Sequence, residues 1–416
     1  MAGIVVRAVD HLAGSGVAYA YAVQAGPWLF LTGHEAFDFA AGGAPEVEGA
    51  LEFPSYGAPR LKREAQYILA RMRKTLAELG SDFRHSVRVD QYYPVYEAVR
   101  AYQLARHGEF GDYIPPSTSV LMERLFKRDS HISMSLIAVL PQAGYEISKL
   151  YPKEVPVPVG SFFVPAITCN DFVFVAGQMA SDENALDQAV RLPKETRHWG
   201  GPNAVRRQTE FIIRKRLEPA LKAGDSSWQN VLKAQIYVPS AADIPDALDV
   251  WREHVPHPCA ITAVPTKGFG FVDGVVEINL LALRDGAKRR KEVLKVELPP
   301  MTSYGAQLRA GELVFASGLM PRGGDQRFDA LAQPAQVQAL AALDWAQRVA
   351  QAAGASGPSI VRAQWFMADA TQFAGVQLAW ASRYGNAPHP FVCVQPPAPL
   401  PAPGAALTAD FWIYAA

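Results

Sequence analysis

The sequence predicts an α+β protein built from three tandem copies of one β-β-α-β-α-β-β unit, and three observations carry that prediction. An apolar, strand-like run ending in glycine occurs as Trp28-Leu29-Phe30-Leu31-Thr32-Gly33, Phe172-Val173-Phe174-Val175-Ala176-Gly177 and Leu313-Val314-Phe315-Ala316-Ser317-Gly318. The glycines stand 144 and 141 residues apart, and an aromatic residue (Tyr19, Phe163, Tyr304) precedes each by 14. The same order of signals follows each run, and self-similarity at a fixed period marks a repeated structural unit.

Each element has a local reason. The apolar runs are short, as buried strands are. A loop and then a helix follow, over 61–79, 205–223 and 335–353, closed by Gly80, Gly224 and Gly354. In the first helix Ile68, Met72, Leu76 and Leu79 recur at helical spacing, and the glycine sits where a left-handed cap is wanted. Three related strands come next, each with a basic residue (Arg88, Lys233, Arg362) and, two positions on, a polar one (Asp90, Gln235, Gln364). Second helices are expected around 95–108, 243–254 and 370–384. Strands led by Pro115, Pro258 and Pro390 follow, and closing strands over 132–138, 276–282 and 407–413 end the units. The units span 1–152, 153–293 and 294–416. Segments 151–159 and 289–300, rich in Pro, Lys and Glu, read as linkers. Loops 37–60 and 180–203 exceed the usual connection length, as binding loops do.

Composition agrees with this count, since 416 residues at roughly 150 per domain give about three. Forty basic and forty acidic side chains leave no net charge, against a nucleic-acid partner, which needs a basic face. Cys169, Cys259 and Cys393 lie too far apart for a disulfide framework. Residues 1–26 lack the layout of a signal peptide, and no apolar run is long enough to predict a membrane span. A cytoplasmic location without membrane association is expected.

Ala176-Gly177-Gln178-Met179, the 231–238 strand and Val276-Glu277-Ile278-Asn279 carry a resemblance in the second copy. Ser303-Tyr304-Gly305 and Ser317-Gly318-Leu319-Met320 carry it in the third, and Tyr19 with Thr32-Gly33-His34 in the first. Together they resemble the Rid family of imine and enamine deaminases, also called YjgF-like. The resemblance implies a chorismate-mutase-like fold in which the three units form an intramolecular pseudo-trimer, with an inner β-barrel, outer helices and clefts between units. It implies a small-molecule substrate, no cofactor, and a monomeric pseudo-trimer or weak homo-oligomer. The family's catalytic arginine, which pairs with a substrate carboxylate, falls at Ser117, Ala260 and Val392, so no guanidinium stands at those places. The closing-strand glutamate survives as Glu277, with Ser133 and Thr408 at the matching positions.

The residues suggest a site of their own. Glu277 is a carboxylate in an apolar strand, suited by burial to acid–base work or engaged in a structural ion pair. Ser117, Thr118 and Ser119 form a hydroxyl run, with Ser117 and Ser119 on one strand face and Thr118 on the other. They contact a ligand, supply a nucleophile, or are plain strand hydroxyls. His34 opens a long loop beside Glu35 as a proton carrier or a surface histidine; His131 is a lesser candidate. The resemblance implies that Tyr19, Tyr304 and Phe163 are aromatic wall candidates, Phe163 with a packing role as its alternative. Cys259 and Cys393 are thiols in the Pro-led strands that pack as small hydrophobes or react. His254 and His257 have no third partner for a metal. Arg197-His198-Trp199 and 267–271 are loop candidates. The expected function is cofactor-independent hydrolysis of a C–N bond in an enamine, imine or aminomuconate-like intermediate. In it Glu277 holds or activates water, and His34 and the 117–119 hydroxyls orient the substrate. The alternatives are a chorismatase-like lyase or hydrolase of a cyclic carboxylate and a non-catalytic small-ligand-binding protein.

Overall fold

The computed structural model describes residues 4–9, 17–38, 42–48, 58–191, 203–270, 273–296, 301–321, 334–355 and 359–416. Three sheets follow one plan. In the first, the spatial order is Ile4–Val9, Tyr19–Ala25, Trp28–His34, Ser133–Val139, Ser86–Tyr93 and Ser117–Leu121. The second runs Ile147–Leu150, Ala166–Cys169, Phe172–Met179, Glu277–Leu283, Val231–Val238 and Ala260–Pro265. The third repeats the order with Lys291–Leu294, Gln307–Ala310, Leu313–Pro321, Leu407–Tyr414, Ile360–Met367 and Phe391–Gln395. In each sheet the polar strand pairs in parallel with the Pro-led strand, and the second helix makes the crossover that a parallel pair requires.

The helices lie within two residues of their expected ends at Arg60–Glu78, Tyr96–Phe110, Ile244–His254 and Ala335–Ala352, while the last, Phe373–Tyr384, begins three residues later than expected. The helix of the second unit runs Ala204–Ile212, widens into a π turn at Ile213–Leu217, and resumes at Glu218–Ala223. Pro219 explains the break, because its nitrogen has no hydrogen to give the helical ladder.

Two expectations are corrected. Each sheet carries an edge strand that the pattern did not predict, and Lys291–Leu294 lies inside a segment expected to be a linker. The four-residue edge strands of the second and third sheets, Ile147–Leu150 and Lys291–Leu294, expose their middle residues, so they show no apolar alternation. The inner β-barrel is absent, since no sheet closes among the described residues. At each junction the Pro-led strand of one unit meets the glycine strand of the next. That glycine strand already has a hydrogen-bonded neighbour on both sides, so it offers no free edge for a continuous ladder.

The recurring glycine has a physical role at these junctions. The register of each glycine strand slips at a bulge around Gly33, Gly177 or Gly318. A methyl group at Gly33 would press on the Val392 backbone, and at Gly318, where φ is +62°, it would overlap the Ile261 carbonyl. At Gly177 it would overlap Glu277 Oε1.

The basic and polar pairs of the three middle strands converge where the sheets meet. Arg88 binds Asp90 at 3.0 Å and reaches Gln235 of the second unit at 2.5 Å. Arg362 of the third unit binds Asp90 at 2.6 Å and Ser135 at 2.9 Å. Lys233 pairs with Asp410 of the third unit and donates to Ser317 at 2.7 Å, and Gln235 donates to Gln364 at 2.9 Å. Tyr92, Tyr237 and Phe366, four residues beyond the basic positions, pack together with Val120, Val264 and Val392. Among the described residues no helix is long and apolar enough to cross a membrane. Burial opposes ionisation of Asp90, but Arg88 and Arg362 outweigh it and hold the carboxyl below its ordinary range. Asp90→Ala strands two buried guanidinium groups and should cost about 3–5 kcal/mol in denaturant unfolding; a loss under 1 kcal/mol refutes the network's structural role.

Candidate functional site

A cleft of about 670 Å³ opens between the first and second units. Its first-unit wall is Tyr96–Phe110 with Ser117–Leu121; the opposite wall carries Gln178, Met179 and Glu277. Pro156, Pro158 and Ser161, from the segment between Ile147–Leu150 and Ala166–Cys169 of the second sheet, form a third side. Val159, on the same segment, donates its N–H to the Glu183 carbonyl at 2.9 Å.

Glu277 starts the closing strand and is 4% exposed, opposite the Gly177 bulge that leaves room for its carboxyl. Among the described residues it forms no ion pair, so the structural alternative raised from sequence is not realised. Burial raises its pKa from 4.5 to about 8, against a hydrogen bond from the Ser119 backbone and with a further upward push from Asp90. Glu277 is therefore mostly a neutral acid at pH 7, able to give and take back a proton.

Arg106 is the feature that motif correspondence missed. It belongs to the helix stripe Val99, Tyr102, Arg106 and Phe110, so its side chain points inward and is 2% exposed. Its Nη1 donates to Ser117 Oγ at 3.4 Å and its Nη2 to the Ser161 carbonyl at 2.6 Å, with Nε unpartnered. A basic residue inside an apolar helical stripe was the available signal. Arg216, from the π turn, also lines the cleft but is committed to the Glu154 and Ser181 carbonyls at 2.8 Å and to Asp187 at 3.5 Å.

Of the residues proposed from sequence, Glu277, Ser117, Ser119 and Phe163 line this cleft. Ser119 Oγ donates to Gln91 at 2.5 Å. Thr118 faces inward beside Gly177 and accepts from Asn279 at 2.9 Å. The others stand elsewhere. His34 and Tyr19 lie at the junction of the third and first units. His34 Nε2 is 3.1 Å from the Tyr21 carbonyl, and burial with nearby Arg71 lowers its pKa to about 3, so the ring is neutral. Tyr19 donates to the Gly33 carbonyl at 2.7 Å and packs on Phe391. Glu35 accepts from the Phe126 and Lys127 backbone at 3.1 and 2.9 Å, and burial raises its pKa to about 7.

Cys259 and Tyr304 lie at the second–third junction, where the Ala306 N–H binds the Cys259 carbonyl at 2.9 Å. Burial pushes the Cys259 thiol up to about 11 and Cys393 well above its ordinary value. His131 is held by Glu64 at 2.9 Å. Residues 197–199 fall outside the described residues, as does 271 at the end of the other loop candidate, whose Gly270 lines the cleft. Among the described residues no group of three His, Cys, Asp or Glu side chains could hold a metal ion.

The family model described as Endoribonuclease L-PSP matches residues 153–284 and 294–407. Similar solved structures include yeast Mmf1, at 16% identity and TM-score 0.28, covering 33% of this chain and 99% of its own. The Rid-family protein YyfA from Yersinia pestis has 18% identity and TM-score 0.28, with 33% and 99% covered. A chorismatase has 13% identity and TM-score 0.44, covering 66% of this chain and 80% of its own. No curated protein matches by sequence.

The raised pKa of Glu277 fixes the sign of a stability test. The folded state disfavours the ionised form, so no penalty exists below about pH 4.5, and it grows as pH rises to about 8. Glu277→Gln should remove that slope, so its stability relative to the parent chain rises by up to roughly 4 kcal/mol across the window. Parallel stability–pH curves in urea titrations would show that Glu277 ionises normally.

Proposed function

The chain belongs to the Rid, or YjgF-like, family, known also as Endoribonuclease L-PSP, and on that footing we propose that the first–second cleft hydrolyses a C–N bond of an imine or enamine, releasing ammonia. The ribonuclease activity of that second family name is not carried over, since a chain with no net charge offers no overall positive field to draw in an RNA backbone. The observation that carries the reading is Glu277: a buried carboxyl without an ion pair among the described residues, on a cleft wall, neutral at pH 7.

The chemistry needs one group that moves a proton both ways. Glu277 gives its proton to the imine nitrogen, making the carbon electrophilic. The resulting carboxylate takes a proton from a water as the water oxygen bonds to that carbon, leaving a carbinolamine and a neutral Glu277. The acid then protonates the amine, the C–N bond breaks with its electron pair on nitrogen, and ammonia leaves. The hydroxyl proton returns to Glu277 as the carbonyl forms. An enamine enters by protonation at carbon from the same acid. Ser117 and Ser119 hydroxyls orient the substrate and Phe163 flanks it. His34 lies outside this cleft and has no role in this reaction.

Glu277→Gln should lower ammonia release from a panel of enamines and amino-acid-derived imines by about 10²–10⁴-fold, measured by coupled ammonia detection. The parent rate should fall as pH passes about 8, where the acid ionises. Unchanged turnover in the variant sinks the reading. A chain inert across the panel that still binds small ligands is a binding protein instead.

A further inference from the structure

Arg106 is a buried cation without a counter-ion. The residue is 2% exposed, and among the described residues it forms no ion pair. Its contacts are all neutral: Ser117 Oγ, the Ser161 carbonyl and the Tyr102 ring, 5.6 Å below. The two other arginines of the cleft differ, for Arg216 has Asp187 and Arg100 is exposed. A charge kept from water needs an opposite charge or a set of hydrogen bonds, and here Nε is left without either. The missing partner is an anion that enters the cleft.

We propose that Arg106, from a helix rather than from the strand, is the anchor for a carboxylate-bearing ligand of the first–second cleft. The proposal rests on the same cleft as the hydrolase reading and names the class of molecule it takes. One uncompensated guanidinium suits a monoanion; a phosphate dianion would need a second free cation at the same depth. Ser117 Oγ, 3.4 Å from Nη1, is placed to donate its own proton to a carboxylate oxygen. Ser117 and the Ser119 backbone that contacts Glu277 lie on one strand face, about 7 Å apart along it. A carboxylate on Arg106 therefore places an adjoining C–N group toward Glu277. The Ser161 carbonyl belongs to the segment between the first two strands of the second sheet, so the second unit supplies part of the anion site.

Titration calorimetry on the full chain, in chloride-free buffer, tests this with sodium benzoate and acetate, their neutral amides, and inorganic phosphate. At least one carboxylate should bind saturably, its amide and phosphate at least about tenfold more weakly. Arg106→Lys keeps the charge without the fork and should weaken the carboxylate about tenfold; Arg106→Gln should abolish binding. Glu277→Gln should bind it within about threefold of the parent. Melting curves establish that each variant folds, and if Arg106→Gln does not, Arg106→Lys and the amide comparison decide. No carboxylate binding, equal binding of acid and amide, tighter phosphate, or full affinity in a folded Arg106 variant overturns the proposal. Ammonia release that survives Glu277→Gln while benzoate binding still needs Arg106 removes the hydrolase reading alone.

Discussion

Three cations buried where the sheets meet, Arg88, Lys233 and Arg362, impose the constraint on which the architecture depends. Two carboxylates, Asp90 and Asp410, answer them, and neither serves its own unit alone. Asp90 of the first unit binds an arginine of the third, and Asp410 of the third binds the lysine of the second. Breaking such a pair leaves a charge in low dielectric, so each unit is completed by its neighbours. The six positions are Arg and Asp, Lys and Gln, Arg and Gln. Three identical chains would repeat one pair three times; covalent fusion lets the three pairs differ while fixing one copy of each.

The same freedom separates the junctions. Each brings a Pro-led strand against a bulged glycine strand, yet the contents diverge. At the third–first junction Tyr19, Phe126, Phe373 and Phe391 fill the space with rings. At the second–third junction a backbone hydrogen bond from Ala306 to Cys259 draws the chains together. Between the first and second units Gly177 leaves room for a carboxyl and the walls stand apart. One repeated backbone plan thus carries different contents at its three junctions, and the first–second one holds the cleft.

Most of the repeat was legible in sequence because it rests on local rules: apolar runs, helical spacing and glycine caps place the main elements to within a few residues. The short edge strands were not, since Lys291–Leu294 hides only its end residues and is defined by its partner strand. The barrel failed because strand edges, which sequence does not show, were already paired. Glu277 was visible as a carboxylate among apolar residues. Arg106 was not, since aligning strand positions led to Ser117, and only packing brings a helix residue 11 positions earlier to the same hydroxyl. The rings that meet at the third–first junction come from distant segments, and no local pattern encodes that meeting.

The central network and the cleft are electrostatically one system. Asp90 is held ionised by two arginines, and its charge is one of the influences that push the Glu277 proton on. The Asn279 amide bridges them physically, donating to Thr118 Oγ at 2.9 Å and to Gln235 at 3.4 Å, and Gln235 in turn accepts from Arg88. A carboxyl buried in the cleft therefore stays neutral for two reasons, loss of water and a fixed anion deeper in the fold. Arg106, on the helix that walls the same cleft, forms no ion pair among the described residues. Acid and cation can coexist in one cleft because a neutral Glu277 does not pair with Arg106, which leaves the guanidinium for whatever enters from solvent.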